Sequence, residues 1–269
     1  MPTITANGLG IYYEEQGAGT PILCIHGTSS SALVWEREMS EISTRGRCIM
    51  YDRRGCFRSE RPDPYFTTAV TDHGDDAAAL LGVLDATPAV IIGRSYGGAI
   101  AVDLARRYPD KVIALALLEP AILTLDPGAA EWGDPFAARI LEIAERDPSA
   151  VAQAFLTEVA GDEAWRSFPE EVKQMFIGNG PAIAAEFRGG DLDVSVEDLR
   201  AIRRLTLVVT SEESPEPFRK VDAVLVDAMP ISEHAWGEGG HLISPAHPRV
   251  MEFVDRVLAN LPEHSEEPA

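Results

Sequence analysis

Short apolar runs alternate along this chain with longer segments of helical periodicity, and this alternation limits the fold more than any other feature. The runs are rich in Ile, Val and Leu and almost continuously apolar, at residues 21–25, 48–51, 89–92, 112–118 and 205–209. Such runs are typical of strands that helices cover on both faces. The pattern therefore predicts parallel βαβ units that share one sheet in an α/β fold.

The segments around these runs predict one sheet with an insertion. Helical patterns cover residues 68–84, 99–107 and 248–258, and residues 3–6 and 9–14 flank the turn dipeptide Asn7-Gly8, which indicates an antiparallel hairpin at a sheet edge. The alternation stops after Glu119-Pro120 and resumes at Leu205. We therefore expect a single core of residues 1–121 and 201–269, with residues 122–200 inserted as a helical cap.

Charge and composition exclude several partners. A formal net charge of −20 gives no positive surface for nucleic acid and would be repelled by an anionic membrane. No stretch approaches the roughly 18 to 20 apolar residues of a membrane span, and the start of the chain lacks a basic, apolar leader. We expect a cytoplasmic protein that acts on a small neutral or apolar molecule, and a homodimer is compatible with the sequence.

One glycine-rich turn carries the chemistry. The hexapeptide Gly93-Arg94-Ser95-Tyr96-Gly97-Gly98 follows an apolar run and precedes a helix predicted to begin near Ala99, which is G-x-S-x-G between a strand and a helix. A serine on so sharp a turn has strained backbone angles, and the residues two positions away on either side must lack side chains so that the adjacent strands and the helix can approach. Ser95 is the predicted nucleophile; the structural alternative is an ordinary glycine-rich turn.

Three further motifs stand in a fixed order with this turn: His26-Gly27, Asp52-Arg53-Arg54-Gly55 and Gly240-His241. Together they resemble the α/β-hydrolase superfamily over nearly the whole chain. The resemblance implies an eight-stranded, mostly parallel sheet with a helical cap, and a serine esterase or lactonase. It also implies that His26 fixes a loop and that the charges after residue 51 pair with each other and with the cap.

The same resemblance assigns the remaining catalytic groups except the acid. The oxyanion hole is implied to be the backbone amide of Thr28, or of Gly27, together with that of Tyr96. A serine hydroxyl needs a positioned base, and among six histidines His241 lies where the family places it. His234, in or beside the last short strand, is the competitor, and His264 lies in the C-terminal tail.

The third member of the triad departs from the family pattern. Ser214 occupies the place of the usual aspartate after the run 205–209, and a serine carries no charge to stabilise an imidazolium. Glu119, at the end of the run 112–118, points to the same sheet edge. This acid placement resembles some haloalkane dehalogenases and the fungal zearalenone lactonases. Glu213, Glu212 or no acid at all remain as alternatives.

Substrate contacts are predicted for the inserted segment. Five aromatic residues of this segment are candidates for a pocket wall or, alternatively, for the core of the cap: Trp132, Phe136, Phe155, Trp165 and Phe187. Ile183 falls where the zearalenone lactonases have an aromatic contact. No metal-ligand spacing and no dinucleotide motif occurs, so we expect no cofactor. Two rival functions remain: a cofactor-free lyase or cyclase on the same fold, and a small-molecule binding protein with a residual triad.

Overall fold

The core of the protein is one mixed sheet, seen in a computed structural model that describes residues 2–262. His264 therefore lies outside the described residues. The strands stand in the order β1-β2-β4-β3-β5-β6-β7-β8. Their bounds are β1 Thr3–Ala6, β2 Leu9–Gln16, β3 Pro21–Ile25, β4 Arg47–Tyr51, β5 Ala89–Arg94, β6 Val112–Leu118, β7 Leu205–Ser211 and β8 Ser232–Gly237.

Strand directions confirm the predicted α/β-hydrolase architecture. Strands β1 and β2 form an antiparallel hairpin at the edge, and β2 is also antiparallel to β4, whereas β3 to β8 pair in parallel. Asn7 and Gly8 make the hairpin turn with φ of 48° and 77°, the left-handed conformations that this turn requires. The central strand β5 is buried along its whole length, as expected for a strand covered on both faces.

Helices cover both faces of the sheet. The longest stretch without a strand, between β6 and β7, holds helices α4 to α9, which we call the helical insertion. Within residues 2–262, no helix combines the length and apolarity needed to cross a membrane. The helices are α1 Glu36–Ile42, α2 Val70–Val83, α3 Tyr96–Arg107, α4 Pro127–Arg146, α5 Val151–Ala160, α6 Asp162–Ser167, α7 Glu170–Gly178, α8 Gly180–Gly189, α9 Val196–Ala201, α10 Glu216–Ala228 and α11 Pro248–Ala259.

The sequence placed the start of α3 too late. The prediction put it near Ala99, but the helix begins at Tyr96. Ser95 adopts φ 55° and ψ −122°, so a single residue turns the chain from strand to helix. The glycines that follow therefore lie inside the first turn of α3 instead of in a loop before it.

Charge pairs fix the loop after β4. Arg53 bonds Glu186 of α8 at 2.8 Å, and Arg54 bonds Asp76 of α2 at 2.6 Å. The side chain of Cys56 in this loop is fully buried. The ion pairs pull the loop into the protein, so its thiol is enclosed.

Candidate active site

Ser95 stands on a strained turn at the carboxyl edge of the sheet. Its amide donates to the carbonyl of Leu118 at 2.9 Å, and its carbonyl accepts from the amide of Ala121 at 3.0 Å. These bonds hold the positive φ that a serine rarely adopts. A Cβ on Gly98 would lie 2.7 Å from the Cβ of Pro120, so a glycine is required there.

Glu119 is presented by the neighbouring strand. Pairing of Leu118 with Val209 sets the register between β6 and β7, and Glu119 follows directly with φ 48°. Its carboxylate is fully buried and accepts bonds from the Ser211 amide at 2.7 Å and the Ser214 hydroxyl at 2.6 Å. A buried carboxylate needs such donors, and Ser214, in the place of the usual acid, supplies one of them.

His241 connects this carboxylate to the serine. Its Nδ1 lies 2.8 Å from Glu119 Oε2, and its Nε2 lies 2.9 Å from Ser95 Oγ. An ionised carboxylate can only accept, so Nδ1 carries the proton and Nε2 is left free to accept from the serine hydroxyl. The ring of Phe218 stacks on the imidazole with centroids 3.8 Å apart and restricts its rotation.

The other candidates for the acid and the base lie outside this chain of hydrogen bonds. Glu212 and Glu213 are exposed, whereas Glu119, His241 and Ser95 are 0%, 4% and 7% exposed. His234 bonds the Thr210 hydroxyl at 3.0 Å. The structure therefore brings Ser95, His241 and Glu119 together among the candidates that the sequence left open.

His26 has the loop-fixing contacts that the sequence suggested for it. The ring Nε2 accepts the Arg53 amide at 3.1 Å, and the His26 carbonyl accepts Arg53 Nε at 3.0 Å. Burial, together with the Arg53 charge, holds the pKa of His26 well below its usual value. A neutral His26 can therefore accept the amide bond that joins the loops after β3 and β4.

The loop after β3 lies beside Ser95. A Cβ on Gly27 would lie 3.1 Å from Ser95 Cβ, so this loop approaches the serine closely. Thr28 donates its hydroxyl to Glu186 of α8 at 2.7 Å, which ties the loop to the helical insertion. In the described part of the chain, the amides of Thr28, Tyr96 and the alternative donor Gly27 have no hydrogen-bond acceptor. Thr28 and Tyr96 line a cavity with Ser95, and Gly27 lines a second one, which leaves these donors available to a ligand.

Two cavities reach Ser95. The larger of the two, which Thr28 and Tyr96 line, has a volume of about 290 Å³, and the helical insertion forms most of its wall. Predicted contacts Trp132 and Phe187 lie on its wall. Trp165 and Ile183 do not line this cavity, and both side chains are buried in the apolar cluster of the insertion. The aromatic wall consists of Trp132, Phe136, Phe155, Phe187 and Phe218.

A smaller cavity of about 170 Å³ also reaches Ser95. Its wall includes His241 and a buried arginine, Arg94, from the turn itself. Arg94, Glu186 and Phe218 lie at the cavities although the sequence motifs did not indicate them as site residues. Only Arg94 had a sequence signal, because a charged residue next to the nucleophile on a buried strand must face either a partner or a cavity.

Comparison with known proteins identifies the family. A family model described as the alpha/beta hydrolase family matches residues 22–253. The 2-hydroxymuconate semialdehyde hydrolase of Pseudomonas sp. (strain CF600) is 30% identical over 91% of this chain and 88% of its own length. Two other curated relatives, 32% and 31% identical, align over only 45% and 40% of their own lengths.

Solved structures agree with the observed fold. A thermophilic esterase from Thermogutta terrifontis superposes with a TM-score of 0.77 at 24% identity, over 95% of this chain and 98% of that one. Est816, described as an N-acyl homoserine lactone degrading enzyme, gives a TM-score of 0.64 at 25% identity, over 97% and 100% of the two chains. The family match and the eight-stranded sheet confirm the resemblance in the sequence: this chain belongs to the alpha/beta hydrolase family.

Proposed function

We propose that this protein is a serine hydrolase that cleaves carboxylic esters or lactones through an acyl-enzyme on Ser95. The observation that carries the proposal is the continuous chain of hydrogen bonds from Glu119 through His241 to Ser95, at the wall of an apolar cavity. Nucleophile, base and orienting acid in mutual contact are the arrangement that acyl transfer requires.

The proton path follows from the tautomer of His241. Nε2 takes the proton from Ser95 Oγ as the oxygen attacks the carbonyl carbon, and the imidazolium is stabilised by Glu119. His241 then returns this proton to the leaving alcohol oxygen as the carbon–oxygen bond breaks. Water attacks the acyl-enzyme by the same route and releases the acid, with Ser95 regenerated.

The Thr28 and Tyr96 amides are the proposed oxyanion donors. Loss of one such donor typically costs about 2.7–4 kcal/mol of transition-state stabilisation. The Tyr96 amide also lies at the positive end of α3, which favours negative charge. The bond between Thr28 and Glu186 would keep the first donor in place, so the helical insertion would act as a cap that supports the hole as well as the pocket.

The substrate class follows from the nucleophile and the cavity wall. A serine does not support dehalogenation through an alkyl-enzyme ester, which needs a carboxylate nucleophile. The aromatic wall of the larger cavity favours an apolar acyl group. The lactone-degrading structural relative supports including lactones, and the semialdehyde hydrolase relative makes 2-hydroxymuconate semialdehyde a required competitor in any substrate panel.

The test is steady-state hydrolysis of aryl butyrates, simple lactones and that semialdehyde by the unmodified protein, Ser95→Ala and Ser40→Ala. Ser40 is an exposed serine on α1 and serves as the matched control. We expect ester or lactone turnover that falls by several orders of magnitude only in Ser95→Ala. A fluorophosphonate should label Ser95 stoichiometrically by mass spectrometry.

Two results would contradict the proposal. Full activity in Ser95→Ala would favour the lyase or cyclase chemistry, in which the serine is not a nucleophile. Saturable binding of esters without turnover or labelling would favour the binding protein.

A further inference from the structure

The smaller cavity holds a buried positive charge that forms no salt bridge within the described residues, although the charge of Glu38 acts on it from a distance. Arg94 is 7% exposed, and no carboxylate of residues 2–262 lies within 4.0 Å of its guanidinium. Among the described residues the guanidinium makes one hydrogen bond, to the carbonyl of Ile243 at 3.4 Å, and the ring of Trp35 lies 5.1 Å from its central carbon. Burial lowers the pKa of Arg94 to about 10, so the group stays charged at neutral pH. A buried charge this poorly paired is costly unless something else binds it.

Other polar groups of the same cavity also lack partners. Trp35 Nε1, Ser30 Oγ and Glu38 Oε2 are buried and make no hydrogen bond within the described chain. Trp35 and Arg94 are donors, and Glu38 offers an acceptor. Native proteins satisfy most buried polar groups, so unpaired atoms on three residues that line one cavity favour a polar occupant.

The proposed mechanism determines which part of the substrate reaches this cavity. The leaving oxygen must receive its proton from His241 Nε2. Ser95 and Thr28 line both cavities, but His241 lines only the smaller one and Tyr96 only the larger one. The alcohol part of an ester therefore extends into the smaller cavity, and the acyl part into the larger, aromatic one.

Resting on the proposed ester hydrolysis, we propose that the smaller cavity is the leaving-group subsite and that Arg94, Trp35 and Glu38 select alcohols that carry a neutral hydroxyl or amide group. Such a group accepts from the guanidinium and the indole and donates to the carboxylate. A carboxylate on the alcohol would be repelled by the charge of Glu38, and a cation on the alcohol would be repelled by the charge of Arg94. The opposite charges of the two side chains cancel, so the subsite matches a neutral group.

Three butyrate esters with one acyl group test this proposal. They are pentyl, 4-hydroxybutyl and 3-carboxypropyl butyrate, of which the first two differ only in a methyl against a hydroxyl group. Turnover is followed by pH-stat titration, and the readout is the ratio of kcat/KM between esters. We expect 4-hydroxybutyl butyrate to exceed pentyl butyrate by about 10- to 100-fold, the effect of hydrogen bonds to charged groups.

Arg94→Met should bring this ratio close to one, because it removes the charge and keeps an unbranched side chain. Arg249→Met, at an exposed arginine of α11, is the matched control and should keep the ratio. A purely structural role of Arg94 would lower both esters equally and leave the ratio unchanged. Should Arg94→Met fail to fold, Glu38→Met and Trp35→Phe each remove one polar contact and should each reduce the ratio by about 3- to 10-fold.

The outcomes separate the two proposals. Equal turnover of the pentyl and hydroxybutyl esters would overturn the subsite and leave the hydrolase intact. Preference for the carboxypropyl ester would overturn the neutral selectivity, because the site would then select an anion. No turnover of any ester would overturn the proposed function and the subsite with it.

Discussion

Replacement of Glu119 by glutamine is the sharpest perturbation of the proposed triad, because it keeps the shape and removes the charge. The Ser211 amide can only donate, so the amide oxygen of the glutamine must face it. The glutamine NH₂ group then occupies the place of Oε2 and donates toward Ser214 and His241. His241 Nδ1 must lose its proton to accept this bond, and the proton moves to Nε2. A protonated Nε2 cannot take the proton of Ser95.

The expected loss follows from this change of tautomer. Exchange of the orienting acid for its amide in a serine triad lowers kcat by about 10⁴-fold. That factor corresponds to about 5.4 kcal/mol of transition-state stabilisation. Folding should be almost unaffected, because glutamine has the same volume and removes a buried charge. KM should change little, since Glu119 does not line either cavity.

The assay is steady-state hydrolysis of an aryl butyrate by Glu119→Gln, with thermal unfolding followed by circular dichroism. Glu213→Gln is the matched control, because Glu213 is exposed and was the alternative acid. A double variant, Glu119→Gln with Ser214→Asp, returns a carboxylate from the usual strand. Its kcat should be at least tenfold higher than that of Glu119→Gln alone, since Ser214 Oγ lies 2.6 Å from Glu119 Oε2, the atom that contacts His241 in the unmodified protein.

One result would refute this reasoning. If Glu119→Gln keeps more than a tenth of the activity, the acid does not orient His241 as proposed. If Glu213→Gln instead loses several orders of magnitude, the loop after β7 must rearrange to bring that carboxylate to the imidazole.

Three further predictions concern stability and reactivity. Burial raises the pKa of Asp222 well above its usual value, so the free energy of unfolding falls as pH rises from about 4 toward the folded pKa. Asp222→Asn should therefore become more stable relative to the unmodified protein as pH rises. A difference in urea unfolding that does not change with pH would contradict this. Asn179→Ala should lower the free energy of unfolding by about 3 kcal/mol, because Asn179 bonds the amide of Phe57 and the carbonyls of Ser29 and Ser30. The control Asn260→Ala, at an exposed helix end, should lower it by under about 1 kcal/mol. Burial raises the pKa of Cys56 to about 12, and the other two thiols are buried, so a thiol reagent at pH 8 should label the native protein far more slowly than the unfolded one; fast native labelling would contradict the burial.

The sequence was most informative where structure is local. Apolar runs and the G-x-S-x-G turn gave the parallel sheet and the place of Ser95, because burial on two faces and a sharp turn each restrict the residues that can occupy them. The bounds of β3 and β6 match their runs to the residue. The start of α3 was missed because the backbone angles of Ser95 alone decide where the helix begins.

The sequence was least informative about surfaces that face a cavity. Trp132, Trp165 and Phe187 could not be ranked as cavity contacts, and Ile183 was a candidate only by position, since apolar residues at helical spacing line cores and pockets alike. The packing of the inserted helices placed Trp132 and Phe187 at the cavity and buried the other two in their own cluster. Arg94 had no assigned role until the walls of the smaller cavity were known.

The sequence by itself determined the sheet, the nucleophile turn and the family, and left three positions open for the acid. Only the tertiary structure brought Glu119 to His241, 122 residues away along the chain. The reason is register: pairing of Leu118 with Val209 places Glu119 beside Ser211 and Ser214, whose donors stabilise its buried charge. Contacts of this kind depend on how strands align across the sheet, and no local pattern of residues specifies that alignment.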